Sequence, residues 1–164
     1  MGFSRRIESS ITLAAQLAAL VQQRQPEFVL VAEPTYCNVC FWYVPPSMRT
    51  AALVEALQRR AVASSPAALP HSSLAGCAFG LQDWLASASC RDALRAATES
   101  IAARVNRAGK LMIDFSPIAC KQLPSFFRAI TSNRMLRENH LSVILDEIGA
   151  TGAELFPLSS VESP

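Results

Sequence analysis

The chain has 164 residues, of which 51% are apolar and 17% are charged, and its formal net charge is +2. This length and composition suit one compact domain with a packed core and exclude a wholly disordered chain. With no basic run, nucleic acid is a poor candidate partner. A membrane helix is not expected either, because no stretch reaches the roughly 18–20 consecutive apolar residues that it needs.

The five cysteines are odd in number and irregularly spaced, and the first ten residues lack the apolar segment of a secretory signal. We therefore expect free thiols in a reducing compartment, and a cytoplasmic protein. Cys37 and Cys40 have CxxC spacing, but a zinc site needs two more ligands at suitable spacing. The two histidines, His71 and His140, lie in a predicted loop and a predicted helix. We interpret the cysteine pair as small buried thiols and expect no metal site.

The first part of the chain predicts a helix followed by a hairpin. Apolar residues recur at helical spacing over residues 5–24, and Pro26 ends the pattern. Residues 28–32 and 37–44 are rich in β-branched and aromatic residues, and a Glu-Pro-Thr turn separates them. Two such runs joined by a short turn predict a β-hairpin.

The middle of the chain is less regular. A second helix is predicted over residues 48–63, and the Ser- and Pro-rich stretch that begins at Ser64 predicts a loop. Residues 77–89 predict one or two helical turns at most. A clearer helix follows over residues 91–108, with Gly109 at its end.

The last third predicts two strands and a helix. Residues 111–115 have the alternating side-chain pattern of a strand. Residues 117–124 predict a loop, and 126–131 predict another strand. A final helix is expected over residues 136–149. Paired strands with segregated helices predict an α+β fold, with a small, mostly antiparallel sheet of about four strands and helices packed on one face.

Arg128 is the residue most suggestive of a binding site. It lies in a short apolar strand with Phe126 and Ile130 on the same face, because residues two apart share a face. A guanidinium there needs an anionic partner, and its planar fork matches a carboxylate. Spacing alone leaves two interpretations open: a residue that binds a substrate carboxylate, or an edge-strand arginine whose head reaches water.

Other chemical motifs are weak. The sequence has no GxSxG, no HExxH and no Gly-rich phosphate loop. Asp114 lies mid-strand and is interpreted as a solvent-facing residue, and Asp146 and Glu147 as solvated residues near the end of the last helix.

Residues 38–49, NVCFWYVPPSMR, resemble a segment in the C-terminal part of the glutamate, cysteine-sulfinate and aspartate decarboxylases, the group II pyridoxal-phosphate (PLP)-dependent decarboxylases. Twelve consecutive positions with three aromatics and two prolines make this a specific match. Gly2-Phe3 and the helix after it, Phe126-Phe127-Arg128 followed by Asn133, and the closing LDEIGATGAEL resemble further parts of the same region.

The resemblance covers residues 2–49 and 91–155. It implies one C-terminal small domain of the PLP-dependent transferase, aspartate-aminotransferase-type fold over residues 1–155, with an insertion or irregular segment at 50–89 and a flexible tail at 156–164. Two departures are Ser125, where the family usually has Asn, and Arg134, which replaces a usual Pro. Ser125 is adjacent to the Phe-Phe-Arg strand.

The resemblance also assigns a role to one residue. In the family the arginine that matches Arg128 binds the α-carboxylate of the substrate, so substrate binding becomes the favoured interpretation. The Schiff-base lysine, the acidic partner of the pyridine nitrogen and the ring-stacking histidine belong to the family's large domain. The two lysines here, Lys110 and Lys121, do not follow a histidine as the family's lysine does. We expect no catalytic, cofactor-binding or metal-binding residue within this chain.

Two functions are consistent with the sequence. The first is part of a PLP-dependent decarboxylase of a small acidic amino acid (cysteine sulfinate, aspartate or glutamate), with the isolated chain inactive. The alternative is a non-catalytic truncated homologue that acts as an interaction or dimerisation module. Expected partners are the acidic substrate and either a large domain or a second copy, but neither nucleic acid nor membrane. The length of the match disfavours an unrelated α+β domain with a chance motif.

Overall fold

The computed structural model describes residues 3–63, 80–109, 111–118 and 123–158. Helices and strands occur in the order predicted from the sequence. Their bounds are α1 Phe3–Gln23, β1 Phe28–Leu30, β2 Asn38–Tyr43, α2 Ala51–Ala63, α3 Gln82–Leu85, α4 Ala88–Ala108, β3 Asp114–Ile118, β4 Leu123–Ile130 and α5 Glu138–Leu155, with a 3-10 turn at Pro46–Met48.

The described strands form a four-stranded sheet in the order β1-β2-β4-β3. All three pairings are antiparallel, and β1 and β2 form the predicted hairpin. The α+β fold with a small antiparallel sheet is therefore confirmed.

One face of the sheet packs against α1, α4 and α5. Alternate strand residues, among them Phe28, Phe41 and Phe127, supply this cluster, and the rings of Phe41 and Phe127 lie 5.6 Å apart between centroids. The helices contribute residues at helical spacing, as the sequence predicted. The contributing side chains include Leu17 and Val21 from α1, Ile101 and Val105 from α4, and Leu141, Leu145 and Ile148 from α5.

The structure adds a second apolar cluster on the opposite face. Val29, Trp42 and Phe126 point to this side, because each follows or precedes a residue of the first cluster along its strand. Leu53, Ala56 and Leu57 of α2 cover them, together with Leu81, Leu85 and Leu94. The end of the sheet near Trp42 is therefore buried on both faces.

The last two strands differ from their predicted bounds. β3 begins three residues later than predicted, and β4 begins at Leu123, inside the predicted loop. Pro117 lies in an edge strand at a register irregularity between Ser116 and Ile118, and Pro124 lies beyond the part of β4 that pairs with β2. A proline is tolerated where its missing N–H has no strand to pair with.

α5 also continues past its predicted end, to Leu155. Gly149 was the predicted end, but Gly149 and Gly152 both lie inside the helix. A Cβ at Gly152 would overlap the ring of buried Tyr43, so this glycine permits close packing of α5 on β2.

The domain plan stays a prediction. Of the proposed insertion at 50–89, residues 51–63 form α2 and residues 82–85 form α3, whereas 64–79 lie outside the described residues. α4 begins at Ala88, so it includes the end of this segment. In the predicted tail, Phe156 packs partly buried against the first cluster, and 159–164 lie outside the described residues.

Candidate functional site

Arg128 lies on β4 between two paired strands. Its partner on β2 is Cys40, and its partner on β3 is Asp114. Directly opposed residues of antiparallel strands point to the same face. Cys40, Arg128 and Asp114 therefore form a row across the sheet, on the face opposite α1 and α5.

This row lies where the second cluster ends. On one side of it Phe126 packs edge-to-face against Trp42, with ring centroids 6.4 Å apart. On the other side Ile130 is 52% exposed. The side chain of Arg128 is itself 39% exposed. Its guanidinium thus lies between an apolar cluster and open surface, where it can meet a small molecule.

Asp114 is the ionic partner of Arg128. Its Oδ2 accepts a hydrogen bond from Nη2 of the arginine, and its Oδ1 accepts one of 2.9 Å from the backbone N–H of Phe115. The hydrogen bond from Arg128 is the main reason why the pKa of Asp114 lies below its ordinary value. Asp114 was predicted to face solvent, and its side chain is 55% exposed, but its ion pair with Arg128 was not predicted.

The Nε of Arg128 has no such partner. It is buried and has no hydrogen-bond acceptor among the described residues. A buried N–H without a partner is costly, especially on a charged group. An acceptor that reaches Nε when the side chain moves, such as a carboxylate oxygen, would satisfy a need that Asp114 leaves open.

Asn106, near the end of α4, holds the segment that leads into Asp114. Its side-chain amide donates to the carbonyl of Ile113 at 2.9 Å, and its Oδ1 accepts from the N–H of Ile113 at 2.8 Å. Gly109 ends α4 with φ of 72° and allows the chain to turn back toward β3. These contacts fix the backbone next to Asp114, although Asn106 carries no motif that singles it out in the sequence.

Ser125, the departure nearest to Arg128 in the sequence, lies on the other face of the sheet. It is buried, and its hydroxyl donates to Glu99 of α4 at 2.9 Å. Since α4 packs on the first cluster, this substitution does not alter the face that contains Arg128.

Of the other candidate residues, Cys40 lies directly opposite Arg128, whereas Asp146 and His140 lie on α5. Cys37 and Cys40 are not joined in a disulfide, and both are partly exposed, whereas buried thiols were predicted. Asp146 pairs with Arg24 at 2.6 Å and so connects α5 to the residue that follows α1. His140 accepts the N–H of Arg137 at 3.2 Å in the first turn of α5.

A PLP site is built around a lysine that forms a Schiff base with the cofactor. His140 is engaged at the start of a helix, and His71, Lys110 and Lys121 lie outside the described residues. Within the described ranges, no three His, Cys, Asp or Glu side chains group as metal ligands, and no helix is long and apolar enough to cross a membrane.

Comparisons with known proteins support the resemblance seen in the sequence. No family model matches the chain. Human cysteine sulfinic acid decarboxylase is 27% identical to it over 154 residues, which are 94% of this chain and 24% of that protein. This chain is homologous to a fragment of cysteine sulfinic acid decarboxylase. It spans about a quarter of the length of the curated relative that it matches.

Solved structures show the same fold. Mouse CSAD in the apo form superposes with a TM-score of 0.62 at 24% identity, over 90% of this chain and 24% of that chain. Oryza sativa TDC with PLP and tryptamine superposes with a TM-score of 0.57 at 17% identity, over 93% of this chain and 23% of that chain. At these identities the two structures establish the fold of the decarboxylase homologue and leave its substrate open.

Proposed function

We propose that this chain is the C-terminal small domain of a PLP-dependent decarboxylase of a small acidic amino acid, and that Arg128 binds the α-carboxylate of the substrate. The observation on which this depends is the position of Arg128, half-exposed at the edge of an apolar cluster with its Nε lacking an acceptor among the described residues. The homology to cysteine sulfinic acid decarboxylase favours cysteine sulfinate, with aspartate and glutamate as the alternatives.

In this proposal the chain binds and orients the substrate but does not carry out the chemistry. PLP supplies the electron sink for decarboxylation in enzymes of this kind. A cofactor site would have to come from other parts of the intact enzyme, so we expect the isolated chain neither to bind PLP nor to decarboxylate. A cytoplasmic location belongs to the same proposal.

Ligand titration of the ¹⁵N-labelled chain tests the role of Arg128. Cysteine sulfinate is expected to shift the resonances of residues around Arg128 and Asp114. The product 2-aminoethanesulfinate, which retains the sulfinate but lacks the α-carboxylate, should shift them less. Arg128→Gln removes the guanidinium and should abolish the response.

Arg134→Gln is the matched control, because Arg134 is an exposed arginine outside the sheet. This variant should respond to cysteine sulfinate as the parent chain does. Equal binding by Arg128→Gln and the parent chain would rule out the proposed role.

The alternative function, a non-catalytic interaction or dimerisation module, is favoured by the apolar side chains exposed near the open sheet edge. Met112 is 83% exposed and Ile130 is 52% exposed. Light scattering over a dilution series separates the two functions: a concentration-dependent dimer lost in Ile130→Ser supports the module, and a monomer at all concentrations contradicts it.

A further inference from the structure

We propose that Asp114 is an internal carboxylate that competes with the substrate for Arg128 and so limits how tightly the site binds acidic ligands. This inference rests on the proposed role of Arg128 in binding the substrate.

The fold places Asp114 where it must meet Arg128. The two residues are directly opposed in the β3–β4 pairing, so their side chains lie on the same face. Asp114 is also held in place, because the N–H of Phe115 binds its Oδ1 and Asn106 fixes the backbone of Ile113 on its other side. The carboxylate therefore contacts the guanidinium without any rearrangement of the strands.

The nitrogen that Asp114 uses explains the competition. Asp114 binds Nη2 of Arg128. A carboxylate can form two hydrogen bonds with a guanidinium either along its Nε–Nη2 side or at its Nη1–Nη2 end, and Nη2 takes part in both arrangements. A substrate carboxylate bound in either way places an oxygen next to Asp114. Two carboxylates that share one site repel each other, so the substrate has to displace Asp114 or accept a weaker single contact.

The size of the effect follows from exposure. Both side chains are more than one-third exposed, and exposed ion pairs are weak. Removing the charge of Asp114 is therefore expected to tighten substrate binding by about 2–5-fold, which corresponds to an ion-pair energy of about 0.4–1 kcal/mol.

The test compares dissociation constants for cysteine sulfinate, measured by NMR titration of the full chain. Asp114→Asn keeps the shape of the side chain and an oxygen for the N–H of Phe115 but removes the charge. We expect about 2–5-fold tighter binding, with Asp114→Ser giving a change in the same direction. Asp92→Asn is the matched control, because it neutralises an exposed aspartate paired with Arg95 on α4, and it should leave the constant unchanged.

The outcomes separate this inference from the proposed function. If both Asp114 variants bind as the parent chain does or more weakly, while Arg128→Gln abolishes binding, Asp114 does not compete, and the role of Arg128 stands. If Arg128→Gln binds as well as the parent chain, the proposed function and this inference both fail. Should Asp114→Asn be unfolded by circular dichroism, Asp114→Ser decides between the outcomes.

Discussion

The ionisation of Asp114 depends on Arg128, fourteen residues along the chain. The sequence indicates that Arg128 needs an anionic partner on its face, but it does not identify Asp114 as that partner. That identification needs the register of the β3–β4 pairing, which is altered by an irregularity between Ser116 and Ile118. A shift of one residue would place Asp114 on the other face.

Replacing Arg128 by Gln is expected to raise the pKa of Asp114 toward its ordinary value. The hydrogen bond from the guanidinium is the main cause of the lowered pKa, and the smaller contribution from the N–H of Phe115 remains in the variant. The measurement is the titration of the Asp114 side-chain carboxyl by ¹³C NMR. Arg134→Gln, which removes an exposed arginine elsewhere, should leave the titration unchanged.

The same pair has a definite effect on stability. Because the folded pKa of Asp114 lies below the unfolded value of about 3.9, the ion pair stabilises the fold above that pH. This stabilisation is lost as the pH falls through the lower folded pKa. The difference in unfolding free energy between the parent chain and Arg128→Gln should therefore shrink in acid, and a difference that grows in acid would contradict the assignment.

At the scale of elements, the sequence predicts the type and order of the strands and helices but misplaces boundaries near proline and glycine. Pro117 and Pro124 were interpreted as loop residues, although each lies in a strand at a point that is not paired with a neighbouring strand on both sides. Gly149 was interpreted as the end of α5, although the helix continues through Gly152 to Leu155. Local sequence signals a change of backbone, but only the tertiary neighbours decide whether a strand or helix ends there.

Gly152→Ala is expected to destabilise the fold by about 1–3 kcal/mol, because the added methyl group overlaps the ring of Tyr43 and a well-packed core resists extra volume. Urea unfolding measures this directly. Gly149→Ala is the control on the same helix, since its Cβ would lie 3.3 Å from Oε1 of Glu27, the end of a flexible side chain.

Helix propensity favours alanine over glycine by about 1 kcal/mol at either position. Gly149→Ala should therefore be close to the parent chain in stability or above it. Equal stability of the two variants would show that Gly152 is not required for the packing of α5 on β2.

On the scale of the whole molecule, the same strands build both apolar clusters. Phe28 and Leu30 face α1, α4 and α5, whereas Val29 and Val31 face the α2 side. Continuous apolar runs of this kind are typical of strands buried on both faces, and residues 28–31 have that pattern in the sequence. The second cluster was not predicted, because the segment that covers it begins with α2 and was treated as an insertion.

Because the two clusters share their strands, we expect them to unfold together. Leu53→Ala in the second cluster and Leu145→Ala in the first should each lower the unfolding free energy by about 2–5 kcal/mol, since both leucines are fully buried. Val54→Ala is the control on α2, because Val54 is 37% exposed.

The test of joint unfolding follows urea denaturation by far-UV circular dichroism and by tryptophan fluorescence. Trp42 lies in the second cluster, and the two signals should give coincident transitions in every variant. If Leu53→Ala shifts the fluorescence transition and leaves the circular dichroism transition in place, α2 and its cluster form a separate unit from the rest of the sheet.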